Sequence, residues 1–300
     1  MNPASVKEKL KNVAKREGKP FDYLLTLYLI ERFLYRLSIS RYADKFVLKG
    51  GVLLYTILDE KARATKDVDM LARELNNSLE NFADILREIC MMESGDALFF
   101  DVATLSTERI KEDAAYEGVR VKISAFLDRT KKVLQMDIGF GDIVVPEAVR
   151  MEYPSLLGME QPVIRAYSIE SVIAEKFEAM IFLAEFNSRM KDFYDICALA
   201  NLYDFEGSVL QAAIASTLAQ RKTGLLAEPA IFTEKYKASE EKNQQWKAFK
   251  RRIASQNKWS FEDVMGMLIT FLRPIYDAVV QKRTFEKSWN AGNRQWISKG

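Results

Sequence analysis

The chain has 300 residues, 48% of them hydrophobic and 29% charged, with a formal net charge of +2; this is the balance of a soluble globular protein long enough for one large or two ordinary domains. It contains no histidine, which excludes Ser-His-Asp and Cys-His catalysis and His-ligated zinc. The two cysteines, Cys90 and Cys197, form no disulfide framework, the N-terminus is polar without an apolar signal core, and no apolar run is long enough to span a membrane, so a cytoplasmic chain with buried thiols is expected.

In chain order, Asn2-Pro3 opens a short basic helix to about Glu17. Pro20 starts a second helix, FDYLLTLYLIERFLYRL, whose apolar residues lie on most sides, so it is expected to be buried. Phe46-Val47-Leu48 reads as a strand stopped by Lys49-Gly50-Gly51, with a helix beginning near Val52. Lys66-Asp67-Val68-Asp69-Met70 alternates polar and apolar residues, the period of a half-buried strand, and residues 78–90 read as helix. From about 97 to 145 strands dominate: Leu98–Phe100 with Val102, then Val119–Ile123 and Val133–Ile138 as an antiparallel hairpin across Asp128–Lys131. After an extended piece at 162–166, helices are expected from Ser168 to about Ala184, from near Arg189, and at 206–219, 239–253 and 261–281. The composition shift near residue 166 divides an α/β front, 1–166, from a helical rear, 167–300.

Chemistry concentrates in five places. A strand ending in Gly50-Gly51 lets backbone N–H groups approach a phosphate at a helix N-terminus. Asp67 and Asp69, two apart on a strand, face the same side, and two converging carboxylates repel unless a cation lies between them. Asp137 interrupts an apolar strand, where a carboxylate is disfavoured unless paired or metal-bound. On the helix from Ser168, Lys176 projects within the stripe of Ile169, Val172, Ile173, Phe177 and Met180; such a lysine must snorkel, find a partner or lose its charge, and an apolar replacement would suit the stripe. Asp192 and Asp195, three apart on the following helix, share the edge of its polar face.

The stretches FVLKGGVLLY, RATKDVDM, LQMDIGFGD, YSIESVIAEKFEAM and SRMKDFYDI, in this order over about residues 46–200, resemble the nucleotidyltransferase toxins of the AbiEii/AbiGii family, within the polymerase-β-like superfamily. Those proteins are the toxin halves of type IV toxin–antitoxin and abortive-infection, phage-defence systems. The resemblance implies an α+β fold, a polymerase-β-like mixed sheet with flanking helices followed by a helical C-terminal region that completes the active site. It implies transfer of a nucleoside monophosphate from an NTP to an acceptor, the 3′ end of tRNA, with growth arrest as the outcome. Carried over, Gly50 and Gly51 cradle the triphosphate, and Asp67, Asp69 and Asp137 ligate Mg²⁺ or Mn²⁺. Lys176, with Lys66 and Arg63 near the first motif, neutralises phosphate charge; Asp192 is the essential carboxylate of the last motif, and Asp195 is a nucleotide contact. CTP and GTP fit equally, and the antitoxin is separately encoded. One departure is that Val52 follows the glycines where the family often has a hydroxyl side chain. Transfer to a protein side chain, or nucleotide or partner binding without chemistry, are the rival readings.

Residues 201–300 hold 16 Lys and Arg against 10 Asp and Glu, whereas residues 1–200 hold 28 against 32. All four tryptophans lie in this basic rear, interleaved with cations. Lys250, Arg251, Arg252 and Trp259 are therefore candidate RNA contacts, since aromatics beside cations suit unpaired bases and phosphates. Tryptophans packing a helical core under a solvated basic face are the alternative.

Overall fold

The structure, a computed structural model, describes residues 2–58, 63–112, 116–253 and 258–298. The chain forms two compact units, Met1–Asp142 with Ala148–Ala166, and Ile143–Glu147 with Tyr167–Gly300.

The first unit opens with α1 (Pro3–Glu17), which begins where the Asn2 side chain accepts a hydrogen bond from the Ala4 N–H and stops at the left-handed Gly18. Its apolar face, Val6 and Leu10, packs on Leu25 and Tyr28 of α2 (Phe21–Ile39). Helix α2 is buried along most of its length, as the apolar pattern predicts, and it carries charge inward as well. Glu31, Arg32 and Arg36 are buried with Asp96. Arg36 holds both Asp96 oxygens, Nη2 to Oδ1 at 3.0 Å, while Glu31 accepts from the Leu156 N–H at 2.8 Å and the Ser155 hydroxyl at 3.0 Å.

Seven strands form one mixed sheet. They are β1 (Phe46–Lys49), β2 (Asp67–Ala72), β3 (Leu98–Glu112), β4 (Tyr116–Leu127), β5 (Thr130–Phe140), β6 (Val149–Glu152) and β7 (Val163–Ala166). Their order is β3-β4-β5-β2-β1-β7-β6; β2 runs parallel to β5 and β1 to β7, and the other neighbours are antiparallel. The expected hairpin is β4–β5: Val119, Val121 and Ile123 are buried from one strand and Leu134, Met136 and Ile138 from the other. Helix α3 (Gly50–Leu58) follows β1, and α4 (Leu79–Met91), capped by the Ser78 hydroxyl, buries Phe82, Ile85, Leu86, Ile89 and Cys90. Two differences from the sequence reading have plain causes. Strand β3 continues to Glu112: its register with β4 shifts between Asp101 and Ser106 and resumes from Ser106, so the backbone of this more polar stretch is paired without a continuous apolar face. Strand β6 alternates apolar and polar residues, Val149-Arg150-Met151-Glu152, but at four residues is too short for that period to stand out.

The second unit contains α5 (Ile169–Leu183), α6 (Met190–Ala200), α7 (Gly207–Gln220), α8 (Glu234–Lys237), α9 (Glu240–Arg252) and α10 (Phe261–Val280). The expected helices are present, but this region is not wholly helical. Strands β8 (Phe205–Glu206), β9 (Lys287–Asn290) and β10 (Gln295–Ser298) form a separate antiparallel sheet, ordered β10-β9-β8. Its anchor is Trp289, buried against Phe271 with its ring N–H donated to the Ala200 carbonyl at 2.7 Å. Cys197 is buried on α6, and both cysteines are free thiols that burial pushes up to about 12.

Burial alone would raise the Asp96 carboxyl, but its bonds to Arg36 outweigh this and hold it below the usual range. Replacing Asp96→Ala leaves the buried Arg36 guanidinium without its carboxylate and should cost about 3–5 kcal/mol in urea unfolding. The stability that this carboxylate supplies is complete above the ordinary Asp pKa of about 3.9 and is lost as pH falls through the lower folded value. Acid unfolding of wild type, compared with Asp96→Asn, measures that difference.

Candidate functional site

The end of β1 determines the geometry of the first unit's site. Gly50 has φ +67°, and a Cβ there would stand 1.9 Å from Oδ2 of Asp69. No other residue fits, since the left-handed conformation and the carboxylate together exclude a side chain. Gly51 is equally confined: its Cβ would meet Oγ1 of Thr65 at 2.6 Å. The Gly51 N–H points to Oδ2 of Asp69 at 3.4 Å, so the N-terminus of α3 faces a carboxylate, the sign its dipole favours.

Register across the sheet then aligns the charged residues. Lys49 on β1 is opposite Asp69 on β2, Asp69 is beside Asp137 on β5, and Asp137 is opposite Arg120 on β4. Register partners share a sheet face, so these four residues form one row, with Asp67 two residues from Asp69 on the same side. Val68 and Met70 face the core. Each end of the row is an ion pair. Lys49 Nζ lies 3.0 Å from Oδ2 of Asp142, and Arg120 grips Asp137 with two parallel bonds, Nε to Oδ1 at 2.8 Å and Nη2 to Oδ2 at 2.7 Å. That pairing, helped by the charges of Glu108 and Asp67, holds the Arg120 guanidinium protonated still more firmly than usual.

The first-motif predictions therefore meet. Gly50, Gly51 and Asp69 are in contact, Asp67 and Asp137 share their face, and the Arg63 guanidinium reaches 3.5 Å from the Cβ position of Gly51. Lys66 is exposed just ahead of β2. Among the described residues, no three carboxylate or thiol side chains are grouped as a metal ion would require. The set is nevertheless suited to one or two carboxylates completed by substrate phosphates, which is how Mg²⁺ is commonly held.

In the second unit, Lys176 is not a snorkelling lysine. Its Nζ donates to Oδ1 of Asp192 at 2.7 Å and to Oδ2 of Asp195 at 2.9 Å. Both aspartates are buried, contrary to the expected polar edge, and Nε of Arg189 lies 2.8 Å from Oδ2 of Asp192. Burial would raise the Asp192 carboxyl, but Lys176 and Arg189 reverse this and hold it below the ordinary range. Lys176, Asp192 and Asp195 thus act as one group.

The tryptophans divide. Trp246 and Trp289 are buried core residues, and Trp296 stacks on Phe271 at 5.6 Å with an interplanar angle of 1°. Trp259 is half-buried, and its carbonyl accepts from the Trp246 ring N–H and from Lys250 Nζ, each at 3.0 Å. Beside it lies a cavity of about 660 Å³ lined by Trp246, Lys247, Lys250, Arg251, Lys258 and Trp259 among others. Arg252 lies over the Phe249 ring, 5.7 Å from its centre.

The profile of the family described as Nucleotidyl transferase AbiEii toxin, Type IV TA system, matches residues 32–266. The chain belongs to this family. As an AbiEii protein it is a nucleotidyltransferase with a nucleotide substrate, and its family implies an antitoxin partner. No curated protein matches the chain. Among solved structures, a proposed nucleotidyltransferase from H. pylori is 14% identical, with a TM-score of 0.47 over 88% of this chain and 99% of the other. JHP933 from Helicobacter pylori is 14% identical, with a TM-score of 0.44 over 87% and 94%. No helix among the described residues is long and apolar enough to cross a membrane.

Sequence reasoning missed Arg120, Lys49, Thr65 and Arg189. The signals for Thr65, in RATKDVDM, and for Arg189, three residues before Asp192 in SRMKDFYDI, were local; Lys49 and Arg120 depend on register. Two outcomes follow for the AbiEii chain. Gly50→Ala should displace the Asp69 side chain and, through the left-handed backbone alone, cost about 1–2 kcal/mol, seen as a lower melting temperature. Lys176→Met, far from suiting an apolar stripe, should leave two buried carboxylates undercompensated and cost about 3–5 kcal/mol in urea unfolding.

Proposed function

We propose that this AbiEii protein transfers a nucleoside monophosphate from an NTP to the 3′ end of an RNA, with tRNA as the acceptor, in a Mg²⁺-dependent reaction. The observation that carries this reading is the contact of Gly50, Gly51 and Asp69, with Asp67 on the same face. Asp67 and Asp69 would hold the metal, with Asp137 the third candidate ligand. When bound, the ion would supply charge to the attacking and leaving oxygens of an in-line displacement. The glycine pair brings the start of α3 against the Asp69 carboxylate, so a phosphate bound together with a cation on Asp69 would lie beside the backbone N–H of Gly51. Arg63 and Lys66 add positive charge beside it. Transfer joins an acceptor hydroxyl oxygen to the α-phosphorus and breaks the bond to pyrophosphate, which leaves. Lys176, Asp192 and Asp195 are the second unit's candidates for the same reaction; because the lysine is fixed by two carboxylates, it is a positioned rather than a mobile cation.

The basic cavity beside Trp259 supports a nucleic acid acceptor over a protein side chain. Four cations and two indoles line it, a combination suited to a phosphate backbone and an unpaired base. Lys250 is partly engaged by the Trp259 carbonyl, which leaves Lys247, Arg251 and Lys258 as its more available cations. The antitoxin is proposed to be separately encoded. Growth arrest would follow from blocked tRNA 3′ ends.

Incubation of the chain with each labelled NTP, total RNA and total protein tests the assignment by which band acquires label. Label in RNA, lost at least about 100-fold in Asp67→Asn or Asp69→Asn with unchanged melting, is the expected result; wild-type transfer in either variant overturns the carboxylate assignment. Replacing Lys250, Arg251 and Arg252 together by Ala should weaken RNA binding and make its dependence on salt shallower, because fewer counterions are released, while NTP affinity stays constant.

A further inference from the structure

The nucleotidyltransferase reading gives Asp137 a place as a candidate ligand but leaves its partner Arg120 without a role. Asp137 is beside Asp69 in the sheet register, where a carboxylate could join a shared cation. Yet both of its oxygens are taken by one guanidinium, at 2.8 and 2.7 Å, in the fork-to-fork geometry that is among the strongest side-chain pairings. The pair is not sealed in the core. The Arg120 side chain is 32% exposed and the Asp137 side chain 14%, so the guanidinium borders solvent. Two neighbouring carboxylates on adjacent strands repel when no cation accompanies them. Asp69 faces the Gly51 N–H, and Asp137 has Arg120.

We propose that Arg120 is a built-in counter-cation that competes with a divalent metal ion for Asp137. In the metal-free chain it neutralises the carboxylate and keeps β4 and β5 locked at that register position. When Asp137 turns to a divalent ion shared with Asp69, the guanidinium is released on the exposed side of the row. A guanidinium suits phosphate as well as carboxylate, so its release places a phosphate-binding cation beside the carboxylates at the moment they engage metal. Arg120 is therefore a positioning residue that sets how readily the site loads. The inference rests on the proposed role of Asp67 and Asp69 as metal ligands.

The test measures Mn²⁺ binding to the full-length chain by electron paramagnetic resonance, without nucleotide. Arg120→Gln should tighten Mn²⁺ binding about tenfold or more, since a charge-assisted bond competing for the ligand is removed. Arg120→Lys, which keeps the charge but loses the fork, should give a smaller gain and serves if the glutamine variant unfolds. In an Asp137→Asn background the same Arg120 change should have no effect. Unchanged or weaker Mn²⁺ affinity in Arg120→Gln, with binding still abolished by Asp69→Asn, overturns the competition and leaves the carboxylate reading intact. Mn²⁺ binding that is indifferent to Asp69→Asn overturns both.

Discussion

The distance between the Asp69 carboxylate and the backbone of Gly50 governs the first unit's site. A carboxylate can stand where a Cβ would otherwise be only if the chain leaves β1 in the left-handed conformation through glycine. That turn starts α3 at once, with its first N–H groups beside Asp69 instead of in solvent. It also fixes which residue of β1 is opposite which residue of β2, and hence that Lys49, Asp69, Asp137 and Arg120 fall in one row. A slip of one residue at β1–β2 would turn Asp69 to the core face and Val68 outward. The burial of Val68 and Met70 and the small size of Gly50 are therefore one constraint seen from two sides.

Charge is handled differently in three places. In the core of the first unit, Arg32 and Arg36 are compensated by Glu31 and Asp96, with backbone and hydroxyl groups completing the bonding. In the second unit, Lys176 and Arg189 hold Asp192 and Asp195 below the surface of α5 and α6. In both arrangements the carboxylates are buried, and removing one partner strands another. The row on the sheet is more open: its carboxylates face solvent in part, and the Arg120 guanidinium is accessible. The buried clusters suit rigidity, and the exposed one suits exchange with an incoming ligand.

Much of this was legible in the residues. The alternation in Lys66–Met70 gave β2 and the shared face of Asp67 and Asp69; the apolar run broken by Asp137 gave a carboxylate that needed a partner; the all-round apolar pattern gave the buried α2. What stayed hidden depended on register and packing. Arg120 is one of several cations in an alternating strand, and nothing local states that it is opposite Asp137. Asp192 and Asp195 look like a polar edge until α5 brings Lys176 against them. The tryptophans beside cations suggested bases, yet two of the four are core residues, because periodicity cannot distinguish a ring packed inward from one stacked on a ligand. The small sheet of β8, β9 and β10 consists of strands too short to show a period.

The two thiols have a use unrelated to catalysis. Cys90 is on α4 in the first unit and Cys197 on α6 in the second, each buried and each too weakly acidic to react while its helix is docked. An alkylating reagent can reach either sulfur only when its own helix opens, so the rate at which each cysteine is capped reports the opening of its own unit. Because a peptide digest separates the two sites, the unmodified chain carries a pair of independent clocks, one per unit, and can report which half a bound nucleotide, metal or RNA makes more rigid.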